Sequence, residues 1–229
     1  MQYIDLHTHL PAGAPDILEI ENRYFGQPGA EHAPLFSAGL HPWYLQDVDW
    51  AAATAWLRAQ AADTACLAIG EAGLDKLTPT PWDRQLAAFS ICLKVAAETG
   101  KPLVIHCVRA YGEVLQLLRR PPVHRALKTV FHGFDKHPRT AHLLLEAGCY
   151  LSFGAALFRE KSHAAEALRE TPANRFFLET DDENLDIRAV YERAAEISGW
   201  PVEHLQFQLW DNFTHFFGPG AAPVMPGIR

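Results

Sequence analysis

Eight short apolar runs recur along the chain, and the stretches between most of them have helical spacing. The runs are Tyr3–Leu6, Asp16–Glu21, Leu35–Gly39, Cys66–Gly70, Pro102–His106, Lys128–His132, Cys149–Phe153 and Arg175–Glu179. Trp82–Thr99 carries Leu86, Phe89, Leu93 and Ala96 at helical intervals and meets Gly100 as a stop. Pro138–Ala147 opens on proline and closes on Gly148. Asp186–Ser198 and Val202–Phe217 predict two further helices. Strand, helix and strand in alternation describe a parallel sheet. Eight such strands predict an α/β fold, a (β/α)8 barrel of the TIM type, formed as a single domain over residues 1–229.

Barrels of this kind usually take about 250 residues, and this chain has 229. The shortfall lies early. Nine residues, His7 to Pro15, separate the first two runs, and a crossover helix needs about a dozen or more. The barrel is therefore expected to be shortened or distorted at its first βα unit. Its first helix should be missing, and strand two irregular or oddly paired.

The polar residues that follow the runs are unusual in kind. His7 and His9 follow the first, His41 the third, and Glu71 and Asp75 the fourth. His106 ends the fifth and His132 the sixth, and Glu179, Asp181 and Asp182 close the eighth. In a parallel barrel every strand C-terminus meets one rim, where active sites form. His7, His9, Glu71, His106, His132 and Asp181 should converge there, the first two because residues i and i+2 of a strand point the same way. Neutral imidazoles with carboxylates form a ligand set for divalent metal. Six ligands suit two ions, and a two-ion site can activate water and clamp a phosphoryl or carbonyl oxygen. Four imidazoles favour zinc, manganese, cobalt or nickel over magnesium. The other histidines, His32, His124, His137, His142, His163, His204 and His215, read as surface or packing residues.

Composition limits the partners. There are 20 Lys+Arg against 27 Asp+Glu, a net charge of −7, which argues against a broad basic face that grips duplex DNA by its phosphates. Cys66, Cys92, Cys107 and Cys149 form no CxxC pair and read as reduced thiols of a cytoplasmic protein. Neither a leader pattern nor an apolar run of membrane-spanning length is present.

The motifs resemble those of the TatD family of metal-dependent hydrolases. "DLHTHL" resembles D-x-H-x-H-L, "GLHPW" resembles G-I-H-P-H, and "AIGEAGLD" resembles A-I-G-E-I-G-L-D. The segment Arg84–Cys107, "LETD" and "NFTHFFG" extend the likeness from Asp5 to Gly218. The resemblance implies one metal on His7, His9, Glu71 and Asp181, and a second on Glu71, His106 and His132. Glu71 would bridge them, and Asp181 would also orient or deprotonate water. It further implies magnesium-dependent hydrolysis of DNA or a small phosphodiester. Departures cluster at the rim. Trp43 replaces the family's second histidine of G-I-H-P-H, Arg109 is displaced by one position in "HCVRA", Asp135 stands in "HGFDK" where a hydroxyl residue is usual, and "DENL" follows "LETD".

His41 and Arg109 are the candidates for a substrate phosphate. Against this, His41 reads equally as a turn residue before Pro42, and Arg109 as a helix-start residue pairing with Glu113. Trp43 and Tyr44 read as loop packing, with stacking on a base as the alternative. Asp75 reads as a supporting residue, and Trp50, Trp56 and Trp82 as helix-to-barrel packing. Hydrolysis at a carbon centre and a non-catalytic metal-binding barrel are the competing functions. Runs four and five carry no lysine at their ends to bridge metals as a carbamate, which weighs against the first. The complete ligand set weighs against the second.

Overall fold

A computed structural model describes residues 2–27, 33–120, 127–218 and 220–221. His32 and His124 lie outside the described residues. The strands are β1 (Tyr3–Thr8), β2 (Ile17–Tyr24), β3 (Leu35–Gly39), β4 (Cys66–Asp75), β5 (Leu103–Val108), β6 (Thr129–Phe131), β7 (Tyr150–Phe153) and β8 (Phe176–Leu178). The helices are α1 (Trp50–Ala62), α2 (Trp82–Thr99), α3 (Tyr111–Leu118), α4 (Pro138–Glu146), α5 (Ala164–Glu170), α6 (Ile187–Ser198) and α7 (Val202–Phe217). All strands are parallel and lie in chain order in one sheet. The molecule is a nearly closed (β/α)8 barrel. None of its described helices is long and apolar enough to cross a membrane.

Local chemistry sets the helix limits. The Asp49 carboxylate accepts from the backbone N–H groups of Ala51 and Ala52 and opens α1. Pro138 opens α4 after His137, whose ring accepts from the Arg139 N–H. Gly100 closes α2 with φ of 70°, a backbone state that costs glycine little.

The first βα unit is shortened, as expected. No helix lies between β1 and β2, yet β2 pairs in parallel with β1 on one side and with β3 on the other. Residues 9–16 return without a helix, and eight extended residues reach at most about 26–29 Å. That exceeds the roughly 20 Å of a six-residue strand, so a parallel neighbour is within reach. The irregularity falls in β1 instead, where the register with β2 shifts between Asp5 and Thr8.

Alternate residues fill the barrel. Leu18, Ile20, Val104, Val130 and Phe177 share one buried cluster, which Phe213 and Phe216 of α7 join. Two residues further along the same strand directions stand Asn22, His106, His132 and Glu179. Period-two alternation thus carries each strand from an apolar floor to a polar ceiling. A second cluster packs the helices against the outside of the sheet, with Trp50, Trp56 and Trp82 at its margin.

The seam between β8 and β1 is stitched individually. Beyond the named strands, Thr8 bridges Asp181. The Asp181 N–H donates to the His7 carbonyl at 2.9 Å, and the His9 N–H donates to the Asp181 carbonyl at 2.8 Å. Deeper in the barrel, the fully buried Tyr191 hydroxyl accepts from the Ile4 N–H at 3.0 Å and donates to the Ile4 carbonyl at 3.3 Å. The Asp5 carboxylate accepts from the Thr180 N–H and hydroxyl at 3.0 and 2.6 Å.

Candidate metal centre

Glu71 stands at the middle of the ceiling. The register of β4 with β5 shifts between Ile69 and Ala72, so Glu71 sits at a local irregularity that re-aims its side chain. β3 approaches closely here. A Cβ on Gly39 would stand 2.3 Å from the Glu71 carbonyl oxygen, so only glycine fits.

The two oxygens of the Glu71 carboxylate face different histidines. Oε2 lies 3.4 Å from His7 Nε2 and 3.5 Å from His9 Nε2. Oε1 lies 2.6 Å from His106 Nδ1 and 2.7 Å from His132 Nε2. Asp181 Oδ1 completes the first group at 3.5 Å from His7 and 3.6 Å from His9. All six residues expected to converge therefore do so.

Their environment suits a cation. Both ring nitrogens of the buried His7 lack a hydrogen-bond partner, as do His132 Nδ1 and Glu179 Oε2. Buried polar atoms left in this way are costly unless something else satisfies them. Ligand atoms from His7, Glu71 and His132 lie within 4.8 Å of one another, and so do those of His7, His9 and Asp181. Imidazole with carboxylate fits zinc, manganese, cobalt or nickel.

Without a cation, the charges lean on each other. Burial would lower the proton affinity of His7, as would nearby His132, but Asp181 and Glu71 raise its pKa to about 9. Burial likewise opposes a charged His132, and Glu71, Glu179 and Asp181 hold it well above the ordinary histidine range. Burial would raise Glu71, but His132, His41 and His106 hold it well below the usual carboxylate range.

A second layer fixes the rings. Asp75 Oδ2 lies 3.2 Å from His106 Nε2 and accepts from the Trp43 indole N–H at 2.6 Å. Asp75 thus holds the His106 Nε2–H, an arrangement that would leave the Nδ1 lone pair to a cation at the centre. Burial would raise the Asp75 pKa, but the hydrogen bonds from His106, Trp43 and Leu77 hold it below the usual range. Gln85 clasps the Asp75 backbone, accepting from its N–H at 2.8 Å and donating to its carbonyl at 3.0 Å.

His41 is the turn residue its position before Pro42 suggested, and it also faces Glu71. Its Nδ1 accepts from the Trp43 N–H at 3.1 Å and caps the short 3-10 turn Pro42–Tyr44. The proton then sits on Nε2, 3.0 Å from Glu71 Oε1. His41 thus offers the centre a donor. Trp43 and Tyr44 are not packed away in their loop, being 48% and 47% exposed.

Arg109 does not pair with Glu113, which binds Lys76 instead. Arg109 is exposed, has φ of 54°, and follows directly on β5. Asp182 is exposed.

Two residues join the centre beyond the six expected to converge, Asn22, which the sequence did not single out, and Glu179, which it placed only at the end of a run. Asn22 is buried and donates to Glu71 Oε2 at 3.2 Å, with His9 Nε2 at 3.3 Å. Its Oδ1 accepts from the Glu71 N–H at 2.9 Å. Glu179 is fully buried, accepts from the Gly133 N–H at 2.5 Å, and lies 3.6 Å from His132 Nδ1. The available signal was a polar residue in step with Leu18 and Ile20 for the first, and a carboxylate in step with Phe177 for the second.

Known proteins share these features. The family profile described as TatD related DNase matches residues 29–218, a span that begins after His7 and His9. The Escherichia coli protein named uncharacterized metal-dependent hydrolase YcfH is 33% identical over 199 residues, covering 80% of this chain and 73% of its own. The 3'-5' ssDNA/RNA exonuclease TatD of Musicola paradisiaca is 34% identical over 159 residues, covering 66% and 59%. The crystal structure of the Escherichia coli TatD homologue YJJV superposes with a TM-score of 0.78 at 20% identity, over 96% of this chain and 98% of that one, a likeness of fold. By its profile, its relatives and its barrel, the chain belongs to the TatD family of metal-dependent hydrolases.

Proposed function

We propose that this protein hydrolyses phosphodiester bonds in single-stranded nucleic acid or a small phosphodiester, using two divalent cations. The observation that carries this reading is the division of the Glu71 carboxylate between two pairs of imidazoles. His7, His9, Glu71 and Asp181 would hold one cation, and Glu71, His106 and His132 the other. When bound, such ions lower the pKa of a water and offset charge that builds on phosphoryl oxygens.

The protein's own groups do the rest. Asp181 is partly exposed beside both groups and takes the proton of the attacking water. Asn22 holds Glu71 and His9 in place, and Asp75 keeps the His106 proton on Nε2. The Arg109 guanidinium contacts the substrate phosphate, while the His41 Nε2–H is held on Glu71 Oε1. The single-stranded substrate rests on the name of the Musicola relative and on the acidic balance of the chain.

The test is elemental analysis of wild type and Glu71→Ala, run beside a nuclease assay on single-stranded DNA with manganese. The expected result is about two ions per chain in wild type, with metal content and cleavage both falling in the variant. Two ions with no cleavage of any phosphodiester would overturn the reading in favour of hydrolysis at a carbon centre.

A further inference from the structure

The exposed apolar side chains of this barrel are not scattered. Seven large hydrophobic residues are exposed among the described ones, and five of them, Leu10, Trp43, Tyr44, Leu77 and Phe158, lie in loops that follow strand C-termini. That is the rim around the metal centre. Single exposed apolar residues need no explanation, but a ring of them around a polar site does.

Trp43 and Tyr44 stand nearest the chemistry. The Trp43 ring is 5.6 Å from that of His106 and 5.1 Å from that of His41, and Tyr44 is 5.2 Å from His41. His41 in turn touches Glu71 at 3.0 Å. Both aromatics are thus one ring removed from the central carboxylate. Both are also held. The Trp43 indole N–H is fixed on Asp75. Tyr24 stacks on one face of Tyr44, with centroids 4.4 Å apart and planes 16° from parallel. Tyr24 covers one side of the ring and His41 lies tilted beside it, yet Tyr44 as a residue remains 47% exposed.

We propose that Trp43 and Tyr44 form a stacking platform for a nucleobase adjoining the scissile phosphodiester. The proposal rests on the phosphodiesterase reading of the site and adds the substrate feature it recognises. Two arguments favour a base as the occupant. A nucleotide sets a flat π face within a few ångströms of its phosphate, which matches platform and carboxylate separated by one ring. Exposed Arg109 follows Val108, the register partner of Asp75, and so places a cation beside the loop that anchors Trp43. Flat apolar faces next to an isolated cation suit a short single strand better than a duplex. The platform is also where this chain departs from G-I-H-P-H, since Trp43 replaces a histidine.

The experiment compares two labelled thymidine trinucleotides with phosphorothioate linkages, one complete and one abasic at its 3′ end. Binding to manganese-loaded protein is read by fluorescence anisotropy for wild type, Tyr44→Ala and Tyr44→Phe. Wild type should bind the complete strand about ten-fold more tightly than the abasic one, the size expected for one stacked base. Tyr44→Ala should lose that preference, and Tyr44→Phe, which keeps the ring, should retain it. Equal affinities in wild type, an unchanged preference in Tyr44→Ala, or no binding of either strand would each overturn the platform. Cleavage of the unmodified strand, assayed in parallel, separates the two readings. Cleavage without base preference overturns the platform alone. Base preference without cleavage leaves Tyr44 as a base-binding surface and overturns the phosphodiesterase reading together with the scissile bond assigned beside it.

Discussion

His7 and His132 hold protons more tightly than free imidazole does, because Glu71 and Asp181 face them in a buried space. A cation competes with those protons for the same lone pairs. The sign follows. Below a pKa of about 9 the His7 ring is protonated in the cation-free protein, so binding must expel a proton. Apparent affinity for manganese or zinc should therefore rise with pH from the ordinary histidine range up to about 9, then flatten. Calorimetry in buffers of different ionisation heat would count the protons released. Asn22→Ala should weaken metal binding or activity by roughly 10–100-fold, the usual effect of losing a group that orients ligands. Competition with a fluorescent chelator measures it. The six converging positions were legible in the sequence because each closes or follows an apolar run. Asn22 was not, because its strand reads as ending at Glu21, and the buried surroundings that make one asparagine decisive come from β3 and β4.

Elements tell a similar story. Helices with strong punctuation, such as α2 before Gly100 and α4 after His137, were readable from local residues alone. Strand two was readable as a strand, as was the irregular pairing around it, but not that the register shift would fall in β1. The rule that parallel strands need a helix between them describes what is usual, and a short strand can be re-entered by an extended return. β8 has only three residues, and the Ile4 N–H and carbonyl are satisfied by the Tyr191 hydroxyl of α6. Tyr191→Phe would leave the Ile4 N–H and carbonyl buried without this partner. The expected loss of stability is about 1–3 kcal/mol, measured by urea unfolding of the cation-free protein.

For the molecule as a whole, alternating periodicity was enough to show a parallel barrel, since eight apolar runs with ligands at one end admit few other closures. The rim was less legible. Whether a tryptophan packs inward or faces solvent depends on neighbours from several loops, and Asp75, which holds Trp43, lies 32 residues away in the chain. Cations that bind only the folded state stabilise it. At a hundredfold excess over Kd the gain is about 2.7 kcal/mol, or roughly 5–10 °C in Tm for a chain of this size. Stripping the protein with chelator should lower its melting temperature by that amount, and re-addition of manganese should restore it.

The stitched seam bears on the order in which the chain is made. The Thr180 and Thr8 hydroxyls bond across it at 3.0 Å, although 172 residues separate them. β1 is translated before every other described strand and gains its second neighbour last. His7 and His9 thus stand beside a half-built sheet until Asp181 is made. On the two-cation reading, the group of His7, His9 and Asp181 is complete only once β8 has left the ribosome.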